Sequence, residues 1–399
     1  MSATQLAIHG GKPVRDTFLV FGSPLISEDE IAEVVGVLRT GWIGTGPQVA
    51  KFQEEFARYV GGRYAMALNS CTAALHLALL AAGVKEGDEV ITTGMTFCAT
   101  ANAIIHSGAT PVFADCDPKT FNICPDAIRN KITPRTRAIL PVHFAGRACA
   151  MAAIMQIARE HKLIVIEDCA HAIETTVAGQ HAGTFGDFGC FSFYVTKNII
   201  TGEGGMVVTR REEDADRIKV LGLHGMSRDA WNRFSDEGYK HYQVVSPGFK
   251  YNMMDMQAAI GRRQLEKVER LWRRREEIWQ RYNQAFAGWP LLLPPPAETD
   301  TRHAYHLYTP LLDLERLKAT RDDVLTALTK ENIGIGVHYL GLHRHPHYAQ
   351  TYGLRAADFP GAEFVSERTL SLPLSAKLTD ADVDSVIAAL QKILEAYAR

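Results

Sequence analysis

Short apolar segments alternate with helix-like segments from about residue 50 to residue 260. Each apolar segment is nearly continuous instead of alternating with polar residues, which is typical of a strand covered on both faces. The six clearest segments span residues 64–68, 89–92, 111–114, 138–142, 163–166 and 205–209. This alternation predicts an α/β fold with a mostly parallel central sheet flanked by helices. In such a sheet, the loops after the carboxyl ends of the strands hold the functional residues.

The pattern changes after Asp255. Apolar residues recur at helical spacing through residues 265–286, and charged residues fill the other positions, so we predict a long amphipathic helix. The run Arg273-Arg274-Arg275 could bind phosphate or nucleic acid, but the solvated face of that helix explains it better. Residues 306–312 and 333–339 are predicted as strands, and residues 376–397 as a helix that opens with Thr379-Asp380. We therefore predict a large α/β domain at residues 1–260, which includes the N-terminal segment, and a small α+β domain at residues 261–399.

Composition excludes several classes of protein. The 399 residues carry 43 Lys+Arg and 45 Asp+Glu, a net charge of -2, so no strong overall field attracts nucleic acid or an anionic membrane. The N-terminus has no basic head followed by an apolar block, and no apolar stretch approaches the length of a bilayer span. Seven cysteines without a C-x-x-C pair fit buried free thiols better than disulfides. The sequence predicts a cytoplasmic protein with no nucleic-acid or membrane partner.

A carboxylate pair, Glu167-Asp168, ends the apolar run at residues 163–166. The carboxyl tip of a strand faces the cleft of an open α/β sheet, so Asp168 could bind a ribose, a metal or a protonated ring nitrogen. A helix N-cap is the alternative, since aspartate serves well there. These residues alone do not separate the two interpretations.

Lys197 lies in Cys190-Phe-Ser-Phe-Tyr-Val-Thr-Lys197, after a largely apolar run and before a glycine-rich turn. An exposed lysine with an ordinary pKa of about 10.4 is the usual case. Partial burial beside other cations would lower that pKa and free the amine as a nucleophile, and lysine forms Schiff bases with aldehydes. The chain lacks G-x-G-x-x-G after a strand and lacks G-x-x-x-x-G-K-[ST], which argues against a dinucleotide site and a phosphate loop.

A third candidate, Asn69-Ser-Cys-Thr72, joins a strand to a helix. Open backbone N–H groups at the helix start would let Thr72 and Ala73 bind a phosphate, although capping by Ser70 or Thr72 is the simpler explanation. Phe97, just after another strand, could stack on a planar ring or pack in the core. The lysine, the carboxylate and the helix start together fit one ligand, a phosphorylated pyridine aldehyde.

Histidines alternate in His343-Arg-His-Pro-His347. The pattern invites a metal-site interpretation, but a loop without fixed geometry supports it weakly, and we predict no metal. We expect these histidines to be exposed to solvent or to contact a substrate.

Three motifs resemble those of the sugar aminotransferases of the DegT/StrS type, which are pyridoxal phosphate enzymes of fold type I. The motifs are Glu167-Asp-Cys-Ala-His171, Phe191-Ser-Phe-Tyr-Val-Thr-Lys-Asn198 and Gly202-Glu-Gly-Gly205. The resemblance extends from Gly41-Trp-Ile-Gly-Thr-Gly-Pro47 to Ser371-Leu-Pro-Leu374. It implies a large domain with a mostly parallel sheet flanked by helices and a smaller C-terminal α+β domain. Some family members are dehydratases with histidine in place of the lysine, so Lys197 implies transamination.

The resemblance also implies a role for each site residue. Lys197 would carry pyridoxal 5'-phosphate as an internal aldimine and then move a proton between cofactor and substrate, and Asp168 would keep the ring nitrogen protonated. The other cofactor contacts would be Thr72, Ala73 and Ser192 to the phosphate, Phe97 and Ala170 on the ring faces, His171 to the ring hydroxyl, and Asn252 to the phosphate in the neighbouring subunit. The active sites would then be shared across a two-fold homodimer. Many relatives read Gly-x-Asn-Tyr-Arg where this chain has Gly248-Phe-Lys-Tyr-Asn252, and Tyr194 replaces a histidine of close relatives.

The implied reaction is amino transfer in two halves. L-Glutamate would convert the cofactor to pyridoxamine 5'-phosphate and leave as 2-oxoglutarate, and a nucleotide-linked keto-sugar would take the amine, preferably at C4 of a UDP-keto-sugar. The sugar nucleotide would lie between subunits, against Trp42, His338 and Tyr339, in the synthesis of amino sugars for envelope polysaccharide or lipopolysaccharide. A 3-keto-sugar aminotransferase and a cofactor-bound sensor of sugar nucleotides without turnover are the alternatives. A nicotinamide oxidoreductase is a third, which the missing glycine fingerprint disfavours.

Overall fold

The computed structural model describes residues 5–227 and 242–399. Residues 1–4, part of the N-terminus considered above for a signal peptide, lie outside the described residues. The strands are β1 (Tyr64–Leu68), β2 (Glu89–Thr93), β3 (Thr110–Ala114), β4 (Thr136–Leu140), β5 (Ile164–Asp168), β6 (Thr176–Val177), β7 (Gln180–His181), β8 (Phe188–Ser192), β9 (Gly205–Thr209), β10 (Leu291–Leu292), β11 (Thr301–Arg302) and β12 (Leu311–Leu312). The α-helices are α1 (Glu28–Thr40), α2 (Pro47–Val60), α3 (Cys71–Ala81), α4 (Cys98–His106), α5 (Pro125–Arg129), α6 (Met151–His161), α7 (Glu212–Gly222), α8 (Asp255–Glu266), α9 (Val268–Ala285), α10 (Arg321–Lys330), α11 (Pro346–Tyr352), α12 (Pro360–Arg368) and α13 (Asp380–Tyr397).

The central sheet has seven strands in the order β1-β9-β8-β5-β4-β2-β3. Strand β9 is antiparallel to both of its neighbours, β1 and β8, and every other neighbouring pair is parallel. The predicted mostly parallel sheet is therefore confirmed, and each of the six predicted segments overlaps one of its strands. Because six strands point the same way, their carboxyl ends meet at one edge of the sheet.

Strand β8 was missing from the sequence prediction. It reads Phe-Gly-Cys-Phe-Ser and is buried along its whole length. Its glycine is required by close packing, since a Cβ on Gly189 would lie 2.3 Å from the carbonyl oxygen of Gly183. A glycine within a short apolar run weakens the strand signal, although here it marks a close approach of two chain segments.

Helix α3 leads away from the edge at which the carboxyl ends of the parallel strands meet, and it is surrounded by protein. Leu75, Leu77 and Leu79, together with most of the helix, are buried against the sheet and against α4 and α7. Helices that are apolar all round are typical of a protein interior. The start of α3 is thus held rigidly at the carboxyl end of β1.

The long amphipathic helix predicted at residues 265–286 is confirmed as α9 (Val268–Ala285), and only residues 265 and 266 belong to the preceding helix α8. Lys267 ends α8 and precedes α9, and its Nζ binds Oε1 of Glu30 at 2.9 Å. This contact ties the junction to α1. Helix α8 packs on α1 and α2, while Trp279 and Tyr282 of α9 enter a C-terminal core.

The two predicted C-terminal strands are mostly wrong, and the predicted C-terminal helix is confirmed. Only Leu311–Leu312 of the segment 306–312 is a strand, and residues 333–339 make isolated bridges at Ile333 and Gly336. The backbone before β12 instead pairs with a turn, where the N–H of His306 donates to the carbonyl of Ala145. Helix α13 begins after Thr379, whose side chain accepts a hydrogen bond from the N–H of Asp382. The domain boundary at residue 260 stays a prediction.

Two further sequence expectations concern the cysteines and membrane-spanning helices. All seven cysteines are free and five of them are buried, as the sequence predicts. Across residues 5–227 and 242–399, no helix combines the length and apolarity needed to cross a bilayer.

Candidate active site

The predicted site residues lie along the edge where the parallel strands end. Asp168 is the last residue of β5, Ser192 is the last residue of β8, and Phe97 precedes α4 in the connection from β2. Asp168 is paired in register with Cys190, so the end of β5 adjoins the segment that leads to Lys197. The fold therefore brings together side chains that are far apart in sequence.

Asp168 is buried and held by two hydrogen bonds. Its Oδ2 accepts from the hydroxyl of Thr100 at 2.9 Å, and its Oδ1 accepts from the N–H of Ala170 at 3.0 Å. Burial raises the pKa of Asp168, while the hydrogen bonds from Ala170 and Thr100 and the nearby ammonium of Lys197 act in the other direction. A carboxylate fixed in this way can neutralise a cation placed beside it without rotating.

Lys197 presents an amine that is not engaged by the protein. Among the described residues, its Nζ has no hydrogen-bond or ion-pair partner, although its backbone N–H donates to the carbonyl of Tyr194 at 2.8 Å. Burial lowers the pKa of Lys197 to about 8, and the acidic groups of Cys71 and Asp168 partly oppose that shift. A neutral amine is therefore accessible near physiological pH, which a nucleophile or a general base requires.

Aromatic and imidazole rings surround this amine. The N–H of Ala145 donates to Nδ1 of His171 at 3.2 Å, and Nε2 of His171 lies 3.1 Å from the hydroxyl of Tyr339. The ring centroid of Tyr339 lies 6.1 Å from that of Phe97. Burial and the charge of Lys197 lower the pKa of His171 well below its usual range, and they lower that of His338 to about 3. His171, His338 and Tyr339 thus form an uncharged wall beside Lys197.

The start of α3 offers fewer free donors than the sequence suggests. Ser70 caps the helix, with its Oγ accepting from the N–H of Ala73 at 3.0 Å. The expected donor at Ala73 is therefore already engaged, while the N–H groups of Cys71 and Thr72 have no acceptor among the described residues. At the neighbouring strand end, Oγ of Ser192 accepts a long hydrogen bond of 3.4 Å from the N–H of Tyr194. The positive end of the helix and a nearby hydroxyl remain suited to an anion.

Trp42 and Asn252 lie together, separate from the histidine wall. Nδ2 of Asn252 donates to Oγ1 of Thr45 at 2.6 Å, and the indole N–H of Trp42 donates to the carbonyl of Thr45 at 3.0 Å. The backbone of Asn252 bridges to Leu68 at the carboxyl end of β1. Trp42 is 53% exposed, and its ring is therefore free to contact another molecule.

Glu167 and Asp168 are consecutive, but they serve opposite sides of β5. Glu167 is fully buried, and its oxygens accept four hydrogen bonds at 2.8 to 2.9 Å. The donors are Nε2 of His143 and the backbone N–H groups of Gly183, Phe185 and Gly186. Glu167 is therefore a structural anchor, and only Asp168 faces the cleft.

Removing this anchor is expected to be costly. Glu167→Ala leaves three backbone donors and a histidine without acceptors in the interior, so the free energy of unfolding should fall by about 4 kcal/mol. Urea unfolding followed by circular dichroism measures the change. Glu160→Ala is the matched control, because Glu160 is an exposed partner of Arg129 and its loss should change stability little. Equal stability losses in the two variants would contradict the assignment.

The histidine-rich segment is part of a structural network. His343 is buried and its Nε2 lies 2.7 Å from Oε2 of Glu363, which also binds Arg344. The expectation that these histidines are exposed or contact a substrate is wrong for His343. Within residues 5–227 and 242–399, the one group with metal-ligand spacing is His143, Glu167 and Cys169, whose potential ligand atoms lie within 4.8 Å of one another. Both ring nitrogens of His143 are used, since Nδ1 accepts from the N–H of Cys149 and Nε2 donates to Glu167.

Sequence reasoning missed several residues that support the site. They are Thr100, Glu174, Asn198, Arg275 and His306. The solvated face predicted for the arginine run is wrong for Arg275, which is 3% exposed and binds Glu174. One signal was available, because Arg275 lies four residues after Leu271 and three before Ile278, on the apolar stripe of α9.

Comparisons with known proteins agree over nearly the whole chain. A model of the DegT/DnrJ/EryC1/StrS aminotransferase family matches residues 24–391. The spore coat polysaccharide biosynthesis protein SpsC of Bacillus subtilis is 51% identical over 382 residues, which are 96% of this chain and 98% of that protein.

Solved structures have the same fold. "Putative sugar aminotransferase Spr1654" of Streptococcus pneumoniae, solved in a PMP form and a PLP form, is similar with TM-scores of 0.89 and 0.88 and identities of 33% and 32%. Each comparison covers 95% of this chain and 99% of that one. PseC of Helicobacter pylori, an aminotransferase involved in the biosynthesis of pseudoaminic acid, has a TM-score of 0.89 and 28% identity over 96% of this chain and 100% of its own. The fold class predicted from the resemblance is confirmed.

Proposed function

This chain belongs to the DegT/DnrJ/EryC1/StrS aminotransferase family, and from that we propose that it transfers the amino group of L-glutamate to a nucleotide-linked keto-sugar. A UDP-linked 4-keto-sugar is the preferred acceptor. The names of these relatives support a sugar acceptor, since they refer to spore coat polysaccharide, to a sugar aminotransferase and to pseudoaminic acid. The product would enter the synthesis of amino sugars for polysaccharide.

The enzyme is an aminotransferase that depends on pyridoxal 5'-phosphate. When bound, the cofactor supplies a ring that stores the electron pair of the substrate carbon. The residues of the site fit this group, because an unpartnered amine, a fixed carboxylate, an exposed aromatic face and an open helix start lie along one edge of the sheet. The observation that carries the proposal is the unpartnered amine of Lys197, close enough to the buried carboxylate of Asp168 for the two groups to interact electrostatically.

We assign the roles accordingly. Lys197 binds the cofactor aldehyde and moves the proton at the reacting carbon, and Asp168 holds the ring nitrogen in its protonated form. The remaining cofactor contacts are Thr72 and Ser192 at the phosphate, Phe97 and Ala170 at the ring faces, and His171 at the ring hydroxyl. Ala73 could donate to the phosphate only by giving up its hydrogen bond to Oγ of Ser70. The neutral state of His171 suits a hydrogen bond donated from Nε2, since Nδ1 is occupied by the N–H of Ala145.

A homodimer completes the proposed site. Phe97, Tyr194 and Trp42 are 57%, 44% and 53% exposed in the single chain. Large apolar side chains that are exposed in the single chain would be covered when a substrate or a second subunit binds. In the proposal, Asn252 reaches the phosphate of the neighbouring subunit, and Trp42, His338 and Tyr339 contact the sugar nucleotide between subunits.

A two-part assay tests the function. Mixing the loaded enzyme with L-glutamate should bleach the cofactor absorbance and release 2-oxoglutarate. A panel of UDP-linked 4-keto-sugars and 3-keto-sugars should then yield an amino sugar, with the position of the amine located by NMR. Failure of the glutamate step would overturn the donor, and failure of the whole panel after a normal glutamate step would overturn the acceptor.

The lowered pKa of Lys197 predicts the pH dependence of cofactor capture. Only the neutral amine attacks an aldehyde, and a shift from 10.5 to about 8 raises its fraction at pH 7 roughly 300-fold. The capture rate should therefore rise about tenfold per pH unit below 8 and level off above it. Borohydride trapping at timed intervals measures the rate, and N-acetyl-lysine with the same aldehyde is the reference. A rate that climbs in parallel with the reference up to pH 10 would contradict the shift.

A further inference from the structure

Asn198, the residue after Lys197, is the centre of a buried hydrogen-bond chain. Its Nδ2 donates to Oε2 of Glu174 at 2.7 Å and to the carbonyl of Ala304 at 2.9 Å. Its Oδ1 lies 2.9 Å from Nδ1 of His306. The amide nitrogen must face Glu174 and Ala304, because both offer acceptor oxygens. Oδ1 therefore faces His306, and since an amide oxygen can only accept, Nδ1 of His306 must carry a proton.

Arg275 determines which groups donate and which accept in this series of hydrogen bonds. Its Nη2 donates to Oε1 of Glu174, and both side chains are buried, at 4% and 0% exposure. Glu174 is the acceptor in both of its hydrogen bonds, since the guanidinium of Arg275 donates to Oε1 and the amide of Asn198 donates to Oε2. Glu174 therefore keeps the amide of Asn198 in one orientation. Helix α9, which carries Arg275, is in this way connected to the residue beside the catalytic lysine.

The ring of His306 packs against the ring of His171. The two imidazole rings are 4.4 Å apart between centroids, with an angle of 36° between their planes. Burial lowers the pKa of His306 well below its usual range, and so do four neighbouring groups that can be cationic. These groups are Lys197, His338, Arg275 and His303, and His306 is therefore a neutral imidazole. With its proton on Nδ1, His306 keeps a lone pair on Nε2, which has no partner among the described residues and is not sealed from solvent.

We propose that Asn198 and His306 are positioning residues of the amino-transfer site. The chain from Arg275 through Glu174 and Asn198 fixes the proton of His306 on Nδ1, and His306 then holds the ring of His171 beside Lys197. Neither residue needs to touch the reacting atoms. The inference rests on the proposed function, because His171 and Lys197 receive their roles there.

The first test reads the proton position directly. In protein labelled with ¹⁵N-histidine, without cofactor, the ring nitrogen shifts of His306 should be those of a neutral imidazole protonated on Nδ1, and those of His171 should show the proton on Nε2. His306→Phe assigns the signal by its loss. A proton on Nε2 of His306 in the unsubstituted protein would overturn the proposal. This readout does not depend on amino transfer, so it stands apart from a failure of the proposed function.

The second test breaks the chain. Asn198→Ala should release His306 to a mixture of tautomers and lower kcat about 10- to 100-fold, as for other residues that orient a reacting group. Asn122→Ala is the matched control, because buried Asn122 also donates twice to carbonyls, those of Arg147 and Ala148, and accepts once, from the N–H of Phe144. The control should leave the His306 signal unchanged. A single tautomer retained in Asn198→Ala, or lost equally in the control, would refute the role of the chain.

The third test separates the ring contact from simple packing. His306→Phe keeps an aromatic face on His171, and His306→Ala removes it. We expect the phenylalanine variant to retain several-fold more kcat than the alanine variant, with similar KM for glutamate in both. Equal kcat values in the two variants would show that His306 does not hold the ring of His171.

Discussion

Lys197→Ala is expected to lower kcat by at least about 10⁴-fold, because the substitution removes both a nucleophile and a proton carrier. Among the described residues of the site, the amine of Lys197 combines a pKa of about 8 with the absence of a hydrogen-bond partner. Neither Tyr194 nor Thr196, the nearby hydroxyl residues in sequence, can form a Schiff base with an aldehyde. No other side chain of the site therefore substitutes for it.

The measurement has two parts, steady-state turnover and borohydride trapping of the cofactor. The wild-type protein should become covalently labelled on a peptide that contains Lys197, and the alanine variant should not. Lys51→Ala, at an exposed position on α2, serves as the control and should keep full activity. Turnover of the Lys197→Ala variant at the wild-type rate would defeat the assignment.

Asp168→Asn is expected to reduce kcat by roughly 10³-fold while cofactor affinity changes much less. Asparagine has nearly the same shape, and its carbonyl oxygen can still accept from the N–H of Ala170, while the hydroxyl of Thr100 can reverse its hydrogen bond. The substitution thus removes the negative charge with little change in packing. A ring nitrogen that is no longer held protonated withdraws electrons less strongly from the reacting carbon.

Two further variants separate charge from geometry. Thr100→Val removes one of the hydrogen bonds to Asp168 but keeps its charge, so its kcat should fall only about tenfold. Asp126→Asn, at an exposed aspartate of α5, should have no effect. Comparable losses in Asp168→Asn and Thr100→Val would mean that orientation, and not charge, is the contribution of Asp168.

The sequence predicted the parts of the fold that depend on local pattern. Continuous apolar runs indicated β1 to β5 and β9, because strands covered on both faces need no polar positions. Asp168 was also identified in advance because it ends the apolar run of β5, and Lys197 because it follows a largely apolar run and precedes a glycine-rich turn. Their roles stay predictions, but the structure places both at the same edge of the sheet.

Features that depend on contacts outside the local sequence pattern could not be predicted. Glycine in β8 weakened the strand pattern because its reason, the close approach of Gly183, lies outside the strand. Arg275 looked solvated until Glu174, about a hundred residues earlier, was placed against it. His306 was assigned to a strand because its neighbours are apolar, whereas its backbone and ring are held by Ala145 and Asn198. In each case a partner outside the segment itself decides the local structure.

The opposite orientation of Glu167 and Asp168 has an evolutionary consequence. Gaining or losing one amino acid within β5 would exchange the two acids, so the anchor would point into the cleft and the chemical group into the interior. A single indel there would therefore abolish folding and catalysis together. Lineages descended from a common ancestor should accordingly vary the length of the surrounding loops while keeping that of β5 invariant.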